Sequence, residues 1–256
     1  VIVVRCQQGS PEWFAERAGA ITASMFAEVR KRVGGLTPQQ EAYVASLRAG
    51  EPQEYALQAS GYKRPPTADV VARALRGEPV GDFTEAAKNY AFRLAIERIS
   101  GECTEGDEFE TFAMRRGREL EPKARERHEF EAEVTVVPTG LVLTDDRKFG
   151  ASADGLIEPD GGSEYKCLVS PERIRHIVLD RDITEFADQN QGCMWLTGRS
   201  WWHFCLYCPA LESVGRALTM FHVDRDDDYI NALELDLLAF DRLVCEYETK
   251  LRDKAE

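Results

Sequence analysis

The stretch from Asp154 to Lys166, reading Asp-Gly-Leu-Ile-Glu-Pro-Asp-Gly-Gly-Ser-Glu-Tyr-Lys, most tightly constrains what this chain can fold into. Pro159-Asp160-Gly161-Gly162 is turn chemistry, because proline pre-sets φ and glycine accepts positive φ, so the flanking residues are expected to form a hairpin. The turn brings Asp154 back towards Glu164. Side chains alternate along a strand, so Glu164 and Lys166 share a face and Tyr165 points into the core. Two carboxylates and one ammonium then converge. Carboxylate oxygens suit Mg2+ or Mn2+, which are held by one or two acids together with substrate phosphate oxygens. The lysine would ease deprotonation of a bound water or neutralise charge on a phosphorane. A solvated surface hairpin is the plain alternative. Against it stand the aspartate ahead of the turn and the small run Gly150-Ala151-Ser152-Ala153, which lets a ligand approach the backbone.

A chain of 256 residues, 43% hydrophobic, can bury a sizeable core. No apolar run approaches the ~20 residues that span a bilayer, and Val1-Ile2-Val3-Val4 is short for a signal core, so a cytoplasmic setting and no membrane contact are expected. Seven scattered cysteines fit a reducing compartment. The net charge of −13 argues against a protein that coats nucleic acid with its whole surface, yet it leaves room for a basic groove on an acidic body. The charges are uneven: Arg115, Arg116, Arg118, Lys123, Arg125 and Arg127 crowd the middle, whereas Asp224, Asp226, Asp227, Asp228, Glu234 and Asp236 crowd the C-terminal part.

In chain order, Ser10-Pro11-Glu12-Trp13 reads as an N-cap followed by proline at the first helical position. Thr22 is expected to cap a second helix with Ser24 in its first turn; with Arg17 nearby this end could bind an anion, or be ordinary capping beside a surface arginine. Thr37 opens a capping-box helix through Leu47, and Thr67 to Leu75 is another helix. Gly50 to Pro66 reads as a loop within a mobile insertion at about 33–82. Phe83 to Ile99 keeps helical spacing. Phe109 to Phe130 is expected as a long helix with Phe112, Ala113, Leu120, Ala124 and Phe130 inward; Glu121 beside that stripe could reach a metal or lie in solvent. Strands follow at 134–137, 141–143, 149–153, 156–158 and 163–168. Thr184 caps a helix through Leu196, on which Gln189 and Gln191 are about 200° apart and cannot serve one site. Strands at 201–207 and 217–223 precede a final helix, Asp226 to Lys250, packed through Ile230, Leu233, Leu237, Leu238, Phe240 and Val244.

Other chemistries fit poorly. Cys205-Leu206-Tyr207-Cys208 alternates as a strand and lacks a second ligand pair. His128, His176, His203 and His222 show no metal-ligand spacing. No Walker A sequence, Gly-x-Gly-x-x-Gly or Gly-x-Ser-x-Gly elbow is present.

Ser152-Ala153-Asp154-Gly155 followed by Glu164-Tyr165-Lys166-Cys167 resembles the nuclease core of type II restriction enzymes and phage recombination exonucleases, with Ala153 where that superfamily usually has proline. Trp13 to Arg17, Gly19-Ala20-Ile21-Thr22-Ala23-Ser24, Gly117-Arg118-Glu119-Leu120-Glu121 and Gln189-x-Gln191 with Met194-Trp195 resemble the lambda-type (YqaJ-like) exonucleases in the same order, from about residue 8 to 208. The resemblance implies a mixed α/β, restriction-endonuclease-like fold, a central mixed sheet flanked by helices, in a single exonuclease domain over 1–256. It implies a Mg2+-dependent exodeoxyribonuclease, with Mn2+ a possible substitute, that digests one strand of linear duplex DNA from a phosphorylated 5′ end and leaves a 3′ overhang. A toroidal homotrimer and a single-strand annealing protein as partner are further implications. By matched position, Asp154, Glu164 and the Tyr165 carbonyl would bind metal, Glu121 would complete a second metal site, Lys166 would activate water and Gln189 would orient Lys166 or the water. Arg17, Ser24 and Ser152 would hold the 5′-phosphate. A further metal-site aspartate falls on Asp145, or one residue away at Thr144. An endonuclease of the same superfamily, or a non-catalytic DNA-binding protein of this fold, are the alternatives.

Overall fold

The structure is a computed structural model that describes residues 1–78, 80–104 and 111–253. The chain divides into two compact units, Val1–Val29 with Asn89–Glu256, and Arg30–Lys88.

The larger unit begins with β1 (Ile2–Val4) and α1 (Pro11–Arg17), whose Ser10 hydroxyl accepts from the Trp13 N–H as the sequence leads one to expect. Such a cap is worth about 1 kcal/mol. The expected cap at Thr22 is not made. Ile21–Thr22 is instead β2, the Thr22 hydroxyl lies 3.3 Å from that of Ser24, and a turn of 3-10 helix leads into α2 (Phe26–Arg30). Pairing with Phe149 and Gly150 outweighs the local capping signal.

The smaller unit holds β3 (Arg32–Val33), α3 (Pro38–Arg48), α4 (Gln53–Ser60), α5 (Asp69–Leu75) and β4 (Asp82–Phe83). The Thr37–Gln40 capping box forms. Gly50 to Pro66 is not simply a loop: α4 runs through it, because Ala56 and Leu57 complete a core with Tyr43, Val44, Val71 and Ala74.

The chain continues through α6 (Glu85–Ser100) and α7 (Phe112–Ala132). Phe109, the expected start of the second of these, lies outside the described residues. Phe112, Ala113 and Phe130 are exposed rather than inward, as is Ile99; Leu120 and Ala124 do face the body as expected, and α7 turns Glu121, Arg125 and His128 the same way. Then come β5 (Val136–Val137), β6 (Leu141–Leu143), β7 (Phe149–Ala151), β8 (Gly155–Ile157), β9 (Gly161–Lys166), α8 (Pro171–Val178), α9 (Ala187–Thr197), β10 (Trp201–Tyr207), β11 (Leu218–Asp224) and α10 (Asp227–Arg252). Among the described residues the strands of this unit form two sheets, β1-β6-β7-β2 and β11-β10-β9-β8-β5, rather than one. Parallel pairs (β2 with β7, β9 with β10) mix with antiparallel ones, which makes the fold mixed α/β. Helix α9 packs on β7 and β10, and α7 packs on β9, β10 and β11. The inner face of α10 carries Ile230, Leu233, Leu237, Phe240 and Val244, but Leu238 is on its outer side.

The hairpin is β8 and β9, antiparallel, with Gly155 opposite Ser163 and Ile157 opposite Gly161. Its glycines are needed for a different reason from the one the turn suggested. Neither takes positive φ; a Cβ on Gly161 would come within 2.1 Å of the Trp201 ring, and one on Gly162 within 2.1 Å of the Trp202 ring. Similarly, a Cβ on Gly150 would meet the Leu143 side chain at 2.8 Å, so smallness there serves core packing.

Candidate active site

The hairpin register extended by one residue sets Asp154 opposite Glu164, at the handover from one sheet to the other. The Tyr165 N–H donates to Asp154 Oδ2 at 2.7 Å, which locks the aspartate across the strand. Glu164 is buried, and its Oε1 receives Lys166 Nζ and Gln189 Nε2, each at 2.7 Å. Lys166 Nζ also donates to Gln189 Oε1 at 2.9 Å. Tyr165 points the other way, among Ala124, Cys205 and Leu218. Its hydroxyl lies 2.8 Å from His128 Nδ1, and His128 Nε2 lies 2.8 Å from His203 Nδ1. This polar chain behind the strand escaped the sequence reading, although His128 falls at the i+7 position from Glu121 on the inward face of α7.

Electrostatics tie the three acids together. Burial, then the negative charges of Glu164 and Glu121, hold the Asp154 carboxyl well above the ordinary carboxylate range. Burial also raises Glu121, while Arg125 pulls it back; the Arg125 guanidinium donates to Glu121 Oε1 at 2.6 Å. Burial works to lower the Lys166 ammonium, but Glu164 and Asp154 outweigh it and the net shift is upward, so Lys166 is a positively charged donor.

A group of acids that repel one another suits a cation. Glu164 Oε2 supports that fit: it is buried and has no hydrogen-bond partner among the described residues. Among those residues no three His, Cys, Asp or Glu side chains form a metal-holding group on their own. A cation here would therefore need backbone and substrate oxygens beside at most two of the carboxylates, the kind of oxygen-rich donor set that Mg2+ accepts.

Of the remaining expected residues, Gln191 faces away from the site. Its amide spans Asp224 O at 2.9 Å and the Asp226 N–H at 3.0 Å, as its rotation from Gln189 requires. Asp145 lies in the turn between β6 and β7 with its side chain 86% exposed, and the structure does not bring it into the hydrogen bonds of the acids. Thr144 binds Asp146 within the same turn. For the anion site, Trp13 is the connector: its Nε1–H donates to Ser152 Oγ at 2.7 Å, and the Arg17 guanidinium lies 4.4 Å from its ring centroid. Ser24 is exposed in the 3-10 turn that directly follows β2, whose partners Phe149 and Gly150 lie just ahead of Ser152 in the chain.

A groove of about 2140 Å3 is lined by Asp154 and Glu121 together with Trp13 and Arg17. Among the described residues Arg5, Arg17, Arg93, Arg118 and Arg125 line it, against Glu121 and Asp154 among the acids, so this described lining is basic on a chain of net charge −13. Of the mid-chain cations, Arg118 and Arg125 are on this wall; Arg127 is tied to Glu131 and Glu212.

Residues 80–200 match the family described as the YqaJ-like viral recombinase domain. The chain is similar to the solved alkaline exonuclease LHK-Exo from Laribacter hongkongensis, at 27% identity and a TM-score of 0.66 over 95% of this chain and 97% of that one. The complex of LHK-Exo with dAMP gives 28% identity and the same TM-score and coverage. A phage related exonuclease from Haemophilus somnus 129PT is 13% identical with a TM-score of 0.52 over 89% of this chain and 99% of that one, a likeness of fold alone. Comparison with curated proteins finds no match. The resemblance to lambda-type recombination exonucleases and the mixed α/β nuclease fold are borne out. Among the described residues no helix is long and apolar enough to cross a membrane.

Proposed function

From a YqaJ-like viral recombinase domain and a fold shared along nearly its whole length with an alkaline exonuclease, we propose that this chain is an exodeoxyribonuclease that hydrolyses phosphodiester bonds of linear duplex DNA, from the 5′ end and leaving a 3′ overhang for recombination. The observation that carries the reading is the Asp154, Glu164, Lys166 and Gln189 cluster, whose Asp154 lines a groove together with five arginines.

Asp154, Glu164 and the Tyr165 carbonyl would hold Mg2+, and Glu121 would complete a second site. When bound, the cations supply an acidified water and offset charge on the reacting phosphoryl group. Lys166 holds its ammonium beside Glu164, where it donates to the attacking water or the phosphoryl oxygens. Gln189 fixes the direction of that ammonium through its own amide. Arg17, Ser24 and Ser152 grip the 5′-phosphate, so a strand end rather than an internal bond is presented to Lys166. Groove arginines hold the following phosphates, and the acidic remainder of the surface repels unproductive contacts. A homotrimer enclosing the duplex and an annealing partner for the product strand complete the reading.

Digestion of linear duplex in Mg2+, with and without a 5′-phosphate and beside a covalently closed circle, tests it. Strand loss from linear DNA, faster on phosphorylated ends and absent in Lys166→Ala, is expected. Cutting of the closed circle would make the protein an endonuclease instead.

A further inference from the structure

Resting on that reading, we propose that Arg125 is the charge partner that Glu121 exchanges for a divalent cation: the Glu121–Arg125 ion pair is the cation-free form of the site, and cation binding at Glu121 releases the guanidinium to a DNA phosphate in the groove.

The three acids are held in different ways. Asp154 accepts from a backbone N–H, and Glu164 accepts from Lys166 and Gln189, so both are fixed by groups that belong to the hairpin and α9. Glu121 instead accepts from Arg125, one turn further along α7 on the same face, at 2.6 Å. A guanidinium and a divalent cation compete for one carboxylate, because each is drawn to the same oxygens and they repel each other. The ion pair also leaves the arginine incompletely satisfied. Its Nε is buried with no hydrogen-bond partner among the described residues, although the guanidinium fork carries five donors. A phosphate accepts two of those donors side by side, which the single contact to Glu121 does not match. Both residues line the groove together with Asp154, so the released side chain swings into the space where the reading above puts the strand.

The exchange makes cation and DNA binding mutually reinforcing. A cation on Glu121 frees one positive charge for DNA, and linkage requires DNA to tighten the cation by the same factor. This coupling distinguishes Arg125 from an arginine that only lines the groove, whose loss would weaken DNA binding equally with and without cation.

The test uses Ca2+ as the cation probe and a 5′-phosphorylated linear duplex. Calorimetric titration gives Ca2+ affinity without DNA, and fluorescence anisotropy gives duplex affinity with and without Ca2+. Arg125→Gln should bind Ca2+ about fivefold or more tighter without DNA, and its Ca2+-induced gain in duplex affinity should shrink about fivefold or more. Arg125→Lys, which keeps the charge, should recover part of that gain. Glu121→Gln, which frees Arg125 without altering it, should bind duplex more tightly than the wild type in the absence of cation. Unchanged or weaker Ca2+ binding by Arg125→Gln, a full Ca2+-induced gain in that variant, or no cation-free gain in Glu121→Gln would each overturn the proposal. If the wild type bound neither Ca2+ nor duplex, the nuclease reading itself would fail; if it bound both and the variants matched it, only the exchange would fail.

Discussion

Gln189 holds Lys166 from two sides: its Oε1 accepts from the ammonium at 2.9 Å, and its Nε2 donates at 2.7 Å to the Glu164 oxygen that the ammonium also binds. The three groups form a closed triangle, so the ammonium has one direction in which to act. Gln189→Ala should therefore lower kcat about 10–100-fold, the usual cost of losing a group that orients a site residue, with little change in KM for duplex. Gln191→Ala should instead lower Tm and spare kcat, because Gln191 braces Asp224 and Asp226. Steady-state kinetics beside thermal melting separate the two; equal kcat losses would refute the assignment.

Gly162 lies flat beneath Trp202, where a Cβ would stand 2.1 Å from the ring. Gly162→Ala must push either the indole or β9, and Trp202 is fully buried, so a loss of about 1–3 kcal/mol or more is expected. Glu164 is two residues along the same strand face, so activity should fall beyond what the folded fraction explains. Urea denaturation and a single-turnover assay on the folded protein check both parts.

The Asp154 carboxyl is raised by burial and then by Glu164 and Glu121, so in the folded, cation-free protein it holds its proton at pH values where the unfolded chain has lost it. The stabilising contribution is complete below the ordinary aspartate range and disappears as pH rises through the raised value. Cation-free protein should lose Tm across that window, and Asp154→Asn should lose less. Added Mg2+ should restore the wild type on the alkaline side, where the acids are ionised, and do little for the variant. A wild-type Tm that climbs through the same window without cation would contradict this.

His203 behaves in the opposite sense. Burial, then the neighbouring His128 and His222, push its imidazole down to about 4, below the usual histidine range. The unfolded chain takes up that proton first, so the stability this residue contributes is present near neutrality and is lost as pH falls towards about 4. His203→Asn should flatten the acid limb of a Tm–pH curve, with a smaller effect above neutral pH. The imidazole is only half-buried, so the change should be modest beside that of Gly162→Ala.

The legible parts of the chain are those governed by short-range chemistry. Ser10-Pro11, Thr37-Gln40 and Pro159-Asp160 each act within a few residues, and two caps and a hairpin appear at these places, although Gly161 and Gly162 belong to β9 rather than to the turn. The same rule at Ser170-Pro171-Glu172 marks α8, whose Ser170 hydroxyl caps the Arg173 N–H, yet the sequence reading missed that helix. Strand β1 cannot be read locally because its partner, Leu141–Leu143, is far along the chain. The Gly161 and Gly162 requirement is likewise invisible until β10 brings two tryptophans over them. In the candidate site, residue types predict the acids and Lys166. The choice of Gln189 over Gln191 and the Glu121–Arg125 pair depend on how α9 and α7 are rotated against the sheet, which no local rule fixes.

Trp13 touches Ser152 through its indole N–H and carries Arg17 on its ring face. An anion that draws on either group changes the polarity and hydrogen bonding of one fluorophore. If the proposed strand-end site is right, Trp13 is an intrinsic optical sensor for it, and loading of a 5′-phosphorylated duplex should change tryptophan emission in real time without any label on protein or DNA.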